Sequence, residues 1–296
     1  MKQFVFRGLL ACVMMSLIFS LHAQEPVRTL MYKVKSPQGG KTSYLFGTIH
    51  YSDPALVSWD KNVRRAFKKC HTVAGEISLV SLADQMRMIP LMLMVDSTLN
   101  DLISGEDSIK VWAAIKSTLD SSLWDLAAQM KPFFLMGAMA QSLGGTNMQN
   151  IPDMRFQTMA VEAGKPVVAL EELKDHFAVA DYLSYREQTV WLMDFIDNNE
   201  ENSTQLDKTR EYYLQGEIVR ILESDESGLV DLEFEENLLH KRNRMMTDNL
   251  ITLMEQNSVF CAVGAAHLIF ETGLVAALRA KGYIVKAVPF RFLPVN

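Results

Sequence analysis

Two stretches of this chain end in the same way. "YLFGTIH" (44–50) and "FCAVGAAH" (260–267) each run as apolar residues into Gly-x-x-His, giving Gly47/His50 and Gly264/His267. With 15 glycines and 6 histidines present, chance would supply about 0.3 such pairs, so spacing alone says little. The context says more. Both motifs follow a strand-like run directly. A glycine there lets the backbone leave the strand or approach another group closely. The histidine then stands at the carboxyl end of its strand, the edge where open α/β sheets bind ligands. Two further strand-like runs end on carboxylates: "TVAGEI" (72–77) carries Glu76, and "PVVALEE" (166–172) carries Glu171 and Glu172. Two imidazoles and a carboxylate converging from strand ends could hold one divalent ion, and this donor set suits Zn²⁺, Mn²⁺, Fe²⁺ and Co²⁺ alike. No cysteine joins them, which points away from a structural zinc. An ion with an open position makes hydroxide available near neutral pH, and a spare glutamate can serve as general base. The structural alternative is that the histidines brace loops and the glutamates cap the helices that follow. The spacing does not decide between the two.

Other groups carry weaker signals. Arg242 and Asn243 lie in the long amphipathic stretch 231–254, and Arg242 could grip a carboxylate or an oxyanion with two nitrogens. His71 and His240 stand near lysines and read as surface residues; His176 follows "EELKD" and could lie near Glu171, although a helix-surface role is the preferred reading. There is no Gly-x-Ser-x-Gly elbow, no His-Glu-x-x-His, no phosphate-binding Gly-Lys-Ser/Thr and no Cys-x-x-Cys. The 18 methionines suit irregular core gaps.

These side chains need a scaffold that brings strand ends together. Strand-length runs rich in β-branched and aromatic residues fall at 43–48, 72–77, 166–171, 258–264 and 283–290. "TLMYKVK" (29–35) alternates and can pair with 43–48 as a hairpin across "SPQGGK". Between the runs the period is helical: Leu56, Trp59, Val63 and Phe67 in one stretch, Ile109, Trp112, Ile115 and Leu119 in another. Strands alternating with helices predict an α/β fold: a central mixed β-sheet covered by helices. Two mostly helical insertions, about 81–160 and 175–256, are expected to form a cap. The acidic piece 197–205 reads as an exposed loop.

Composition bounds the rest. Lys2 and Arg7, an apolar stretch over 8–21 and a small residue at Ala23 read as a secretory signal peptide. The apolar stretch is shorter than the ~20 residues that span a bilayer. Cleavage after Ala23 would leave residues 24–296 as a single domain, exported to a periplasm or the extracellular space, with no transmembrane span. The net charge of the whole chain is −6, and the leader removes only positive charge. An acidic chain with no basic stripe excludes nucleic acid as a partner. Cys70 and Cys261 sit at or inside apolar runs, where a free thiol behaves as a small hydrophobe.

The ordered set "YLFGTIHYSD", "VAGEIS", "KPFFL", "IPDMRFQTMAVEAGKPVVALEE", "YYLQGE", "LLHKRNRMM" and "VGAAHLIFETGLVAALRAKGYIV" resembles the TraB/GumN family, which includes the TIKI and pheromone-shutdown proteins. The resemblance runs over about residues 32–289. It implies an exported metal-dependent hydrolase, a peptidase acting on a peptide or protein, with Mn²⁺ or Co²⁺ favoured and Zn²⁺ as the other candidate. Carried over by position, it marks His50, His267 and Glu76 as metal ligands and Glu76, Glu171 and Arg242 as catalytic. Asn243 comes with Arg242 as the "RN" pair, and Asp153 matches an aspartate of the family. This chain departs from the pattern at Ile151, where a glycine is expected, at Ala266 in the second Gly-x-x-His motif, and in "ELKDH" after the 166–172 run. The pheromone-shutdown branch implies a rival reading, a protein that sequesters a peptide or a secreted partner without cutting it.

Overall fold

Among the strand-forming runs, those at 43–48, 72–75 and 259–264 are buried at nearly every position, the pattern of strands covered on both faces, whereas 31–35 alternates. In the structure, a computed structural model that describes residues 29–223, 236–269 and 271–295, six such runs form one sheet. They are β1 (Met31–Lys35), β2 (Ser43–Thr48), β3 (Thr72–Gly75), β4 (Val167–Ala169), β5 (Val259–Gly264) and β6 (Ile284–Ala287), in the order β4-β3-β5-β2-β1-β6. β4, β3, β5 and β2 run parallel. β1 is antiparallel to both β2 and β6. The fold is therefore α/β with a mixed sheet, and the hairpin across "SPQGGK" is present. The four adjacent parallel strands end on one edge. The predicted leader (1–23) and the first residues of the predicted helix at 231 lie outside the described residues.

β5 shows why both faces are apolar. Val259, Cys261 and Val263 pack on one side with Met246, Leu250, Leu274 and Leu278. These come from the helices Lys241–Gln256 and Leu274–Ala280. Phe260 and Ala262 pack on the other side with Val63, Phe67, Phe156 and Ala160, from the helices Lys61–Lys69 and Pro152–Glu162. Each large side chain so buried contributes about 1.5–3 kcal/mol relative to exposure. Phe156 is the pivot of the second face. Its ring stacks on Trp59 with centroids 4.1 Å apart and meets Phe46 edge-on at 5.0 Å. That contact fixes where the helix Pro152–Glu162 begins, and so where Asp153 stands.

The insertions differ from expectation in one respect. Their middle portions do form a helical lobe, with a core of its own that includes Leu99, Val111, Ile115, Leu135, Met139 and Leu192. Their final helices, Pro152–Glu162 and Lys241–Gln256, instead cover the two faces of the sheet. Each carries an apolar stripe that only the sheet can bury. The lobe helix Gly105–Thr118 buries Val111 and Ile115, while Ile109, expected inside, is 74% exposed. The expected acidic loop at 197–205 is instead largely the start of the helix Asn199–Gln215. Glu200 and Glu201 occupy its first turn, where negative charge meets the positive end of the helix dipole. No described helix is long and apolar enough to cross a membrane.

Candidate functional site

The shared edge of the four parallel strands gathers the predicted groups. His50 follows β2, Glu76 follows β3, Glu171 follows β4 and His267 follows β5. In the parallel register, Thr48 of β2 stands beside Gly264 of β5, and Gly75 of β3 beside Ala262. Adjacent strand exits therefore lie side by side.

The two motif glycines serve close approach. A Cβ on Gly47 would lie 3.1 Å from the Cα of Ala265 and from Leu268 Cδ1. A Cβ on Gly264 would lie 3.1 Å from Glu76 Oε1. With no side chain there, the Gly264 N–H donates to that oxygen at 2.7 Å. The first glycine lets the second motif's loop press against β2, and the second lets Glu76 reach across β5.

Glu76 is the hub. Its Oε2 accepts from Arg242 Nη2 at 2.6 Å and lies 3.8 Å from His267 Nε2. Burial alone would raise its carboxyl, but the opposite charges around it, the Arg242 guanidinium among them, outweigh that and hold it well below the usual carboxylate range. Arg242 also takes Glu171 in a two-pronged grip, Nε to Oε2 and Nη2 to Oε1, both 2.8 Å. Burial would raise the Glu171 carboxyl as well, and hydrogen bonds from His176 and Arg242 bring it down instead. The Arg242 guanidinium loses solvation, but the Glu171 and Glu76 carboxylates more than compensate, so it stays charged.

The histidines are held by their Nδ1 atoms. His267 Nδ1 lies 2.7 Å from Oδ1 of Asn243, and both residues are buried. Burial pushes this imidazole down, toward the neutral form. His50 Nδ1 lies 3.3 Å from Asp153 Oδ2. The Asp153 carboxylate pushes His50 up to about 9, and Glu76 adds to the field. The His50 side chain is 64% exposed, so solvent screens this pairing.

His176, read from sequence as a surface residue, belongs to the site. Its Nδ1 lies 3.0 Å from Arg242 Nη2, 3.7 Å from Glu76 and 3.8 Å from Glu171. It sits in the short helix Leu173–Phe177, which begins just past Glu171. Its place five residues beyond Glu171 was the one local hint of this, and a helix-surface position fits the same spacing equally well. Tyr213, from the "YYLQGE" piece, was not singled out either. It is fully buried and donates its hydroxyl to the Gly47 carbonyl at 2.7 Å, which ties the helix Asn199–Gln215 to the first motif. His71 is exposed; His240 pairs with Glu236 on its own helical turn at 3.0 Å. Neither joins the site.

Two donor sets come together, and they differ. Ligand atoms of Glu76, Glu171 and His176 lie within 4.8 Å of one another, but Arg242 Nη2 stands within 3.0 Å of each of the three. A guanidinium nitrogen fills that cluster. The other is a pair, His267 Nε2 facing Glu76 Oε2; among the described residues His50 does not close with them into a group within 4.8 Å, so the predicted trio of His50, Glu76 and His267 is not assembled. Two ligands each about 2.1 Å from a tetrahedral ion stand about 3.4 Å apart. The 3.8 Å separation needs only a few tenths of an ångström of closure. A neutral imidazole turned to a carboxylate by its unprotonated nitrogen suits a cation between the two, so this second set fits a divalent ion.

No curated protein and no solved structure matches the chain. The TraB/PrgY/gumN family description matches residues 30–287, which spans every strand and every group of the site described above. The chain belongs to the TraB/PrgY/gumN family.

Proposed function

We propose that the chain is an exported metal-dependent hydrolase that cleaves peptide bonds. The observation that carries this reading is the meeting of His267 Nε2 and Glu76 Oε2, 3.8 Å apart, on the edge shared by four parallel strands. His267 and Glu76 would hold the ion. A divalent ion so held polarises a carbonyl and lowers the pKa of a water molecule bound to it. Imidazole with carboxylate is compatible with Mn²⁺, Co²⁺ or Zn²⁺. The groups behind the ligands keep the donors in place. Gly264 N–H and Arg242 fix the two oxygens of Glu76, and Glu171 balances the Arg242 charge. Both Glu171 oxygens accept from Arg242, so Glu171 acts on the site through the Arg242 charge. The expected role of Arg242 narrows in the same way: it orients carboxylates of the protein.

The test is incubation of the full chain with a peptide library and Mn²⁺, with and without a chelator, read by mass spectrometry. New termini that vanish with chelator or with His267→Ala are the expected result. Peptides retained but uncut would favour the sequestering protein. Absence of both a bound ion by elemental analysis and any new termini would overturn the reading.

A further inference from the structure

We infer that Asn243 is a positioning residue that fixes the tautomer and ring orientation of His267. An imidazole has two nitrogens, and which one keeps the proton depends on what the other meets. Oδ1 of Asn243 can only accept, so at 2.7 Å the His267 Nδ1 must carry the hydrogen. The unprotonated nitrogen is then Nε2, the one that faces Glu76. The amide is 1% exposed, so no solvent competes for that bond, and a buried acceptor without a donor would be costly.

The placement has a structural cause. Asn243 follows Arg242 in the first turn of the helix Lys241–Gln256. That turn is held against the sheet by Met246 and Leu250 below it. Arg242 fixes Glu76 and Glu171 while Asn243 fixes His267, so one helical turn aligns both faces of the donor pair. A neutral amide suits this place. A carboxylate at 243 would add a further buried negative charge beside Glu76 and Glu171. At the exposed end of the site, the same job at His50 falls to a carboxylate, Asp153.

The inference rests on the metal-site reading only for its effect on affinity; the tautomer exists without an ion. The experiment therefore uses both. ¹⁵N-histidine-labelled full chain, stripped of metal, is examined by two-bond ¹H–¹⁵N correlation. His267 Nδ1 is expected to carry the hydrogen in wild type, as the neutral form, and also in Asn243→Asp, which keeps the acceptor while its charge draws the ring toward the doubly protonated form. His267 should move away from the Nδ1–H form in Asn243→Leu. Calorimetric titration with Mn²⁺ should then show affinity weakened about 10–100-fold in Asn243→Leu and largely retained in Asn243→Asp, with thermal melts confirming that each variant is folded. An Nε2–H form in wild type overturns the inference, as does equal loss of affinity in the two variants. A wild-type protein that shows the Nδ1–H form yet binds no ion supports the positioning role and sinks the metal reading instead.

Discussion

At the residue scale, the site is defined by who neutralises whom. Arg242 is the sole guanidinium bonded to both Glu76 and Glu171 among the described residues. Arg242→Met would leave two buried carboxylates facing each other, at a cost of about 3–5 kcal/mol. Lys110→Met, which breaks an ion pair with Asp197 whose partners are 48% and 45% exposed, should cost no more than about 1 kcal/mol. Urea midpoints at unchanged slope would read both. His50 supplies the pH dependence. Its folded-state value, about 9, is raised above the ordinary 6.5, so the folded state binds this proton more tightly. That stabilisation is fully present below 6.5 and disappears as pH rises through about 9. In metal-free protein, an NMR titration should place the His50 midpoint above 6.5. Asp153→Asn should return it toward 6.5 and flatten the stability profile between those limits. An unmoved midpoint in that variant would show that Asp153 is not the cause.

Elements carry these residues to one edge, and each is anchored by identifiable contacts. The last carbonyls of the helix Lys61–Lys69 lie beside β3, and Lys165 reaches them from the turn before β4. Its ammonium donates to Phe67 O at 2.8 Å, to Lys68 O at 3.3 Å and to Cys70 O. Lys165→Met removes these charge-assisted bonds and should cost about 1.5 kcal/mol in a denaturation curve. Loss of less than a few tenths would mean that water serves the carbonyls as well. The strands and the hairpin were legible in sequence because their periods and turn residues are local properties. The extent of the helical cap was not. Whether Pro152–Glu162 lies in the lobe or on the sheet depends on Phe156 meeting Trp59 and Phe46, residues about a hundred positions earlier. The acidic stretch at 197–205 was misread for the opposite reason. Its polarity suggested a loop, but one buried anchor, Tyr213, ties down a helix whose other residues are half-buried or exposed.

At the scale of the whole molecule, two cores share one chain: the sheet with its covering helices, and the helical lobe. Both thiols lie in the first. Cys70 and Cys261 are free and buried. Burial pushes the Cys70 thiol up to about 12 and raises Cys261 further. A neutral, enclosed thiol is a poor nucleophile. Native protein should therefore leave a thiol reagent unconsumed at pH 8, with both groups reacting only after denaturation. Rapid modification of either in the native state would contradict the packing described here.

By itself, the sequence determined the α/β class, the strand-end position of His50, Glu76, Glu171 and His267, and the family. All of these follow from residue type and short spacing. Only the tertiary structure decided what those groups do to one another. It put Arg242 inside the Glu76–Glu171–His176 cluster, in the place an ion would need, brought His176 in from a position that looked like surface, and gave Asn243 and Asp153 their histidines. The physical reason is that strand order is set by long-range pairing. β5, near the end of the chain, inserts between β2 and β3, and no local pattern states which distant run a strand will choose as its neighbour.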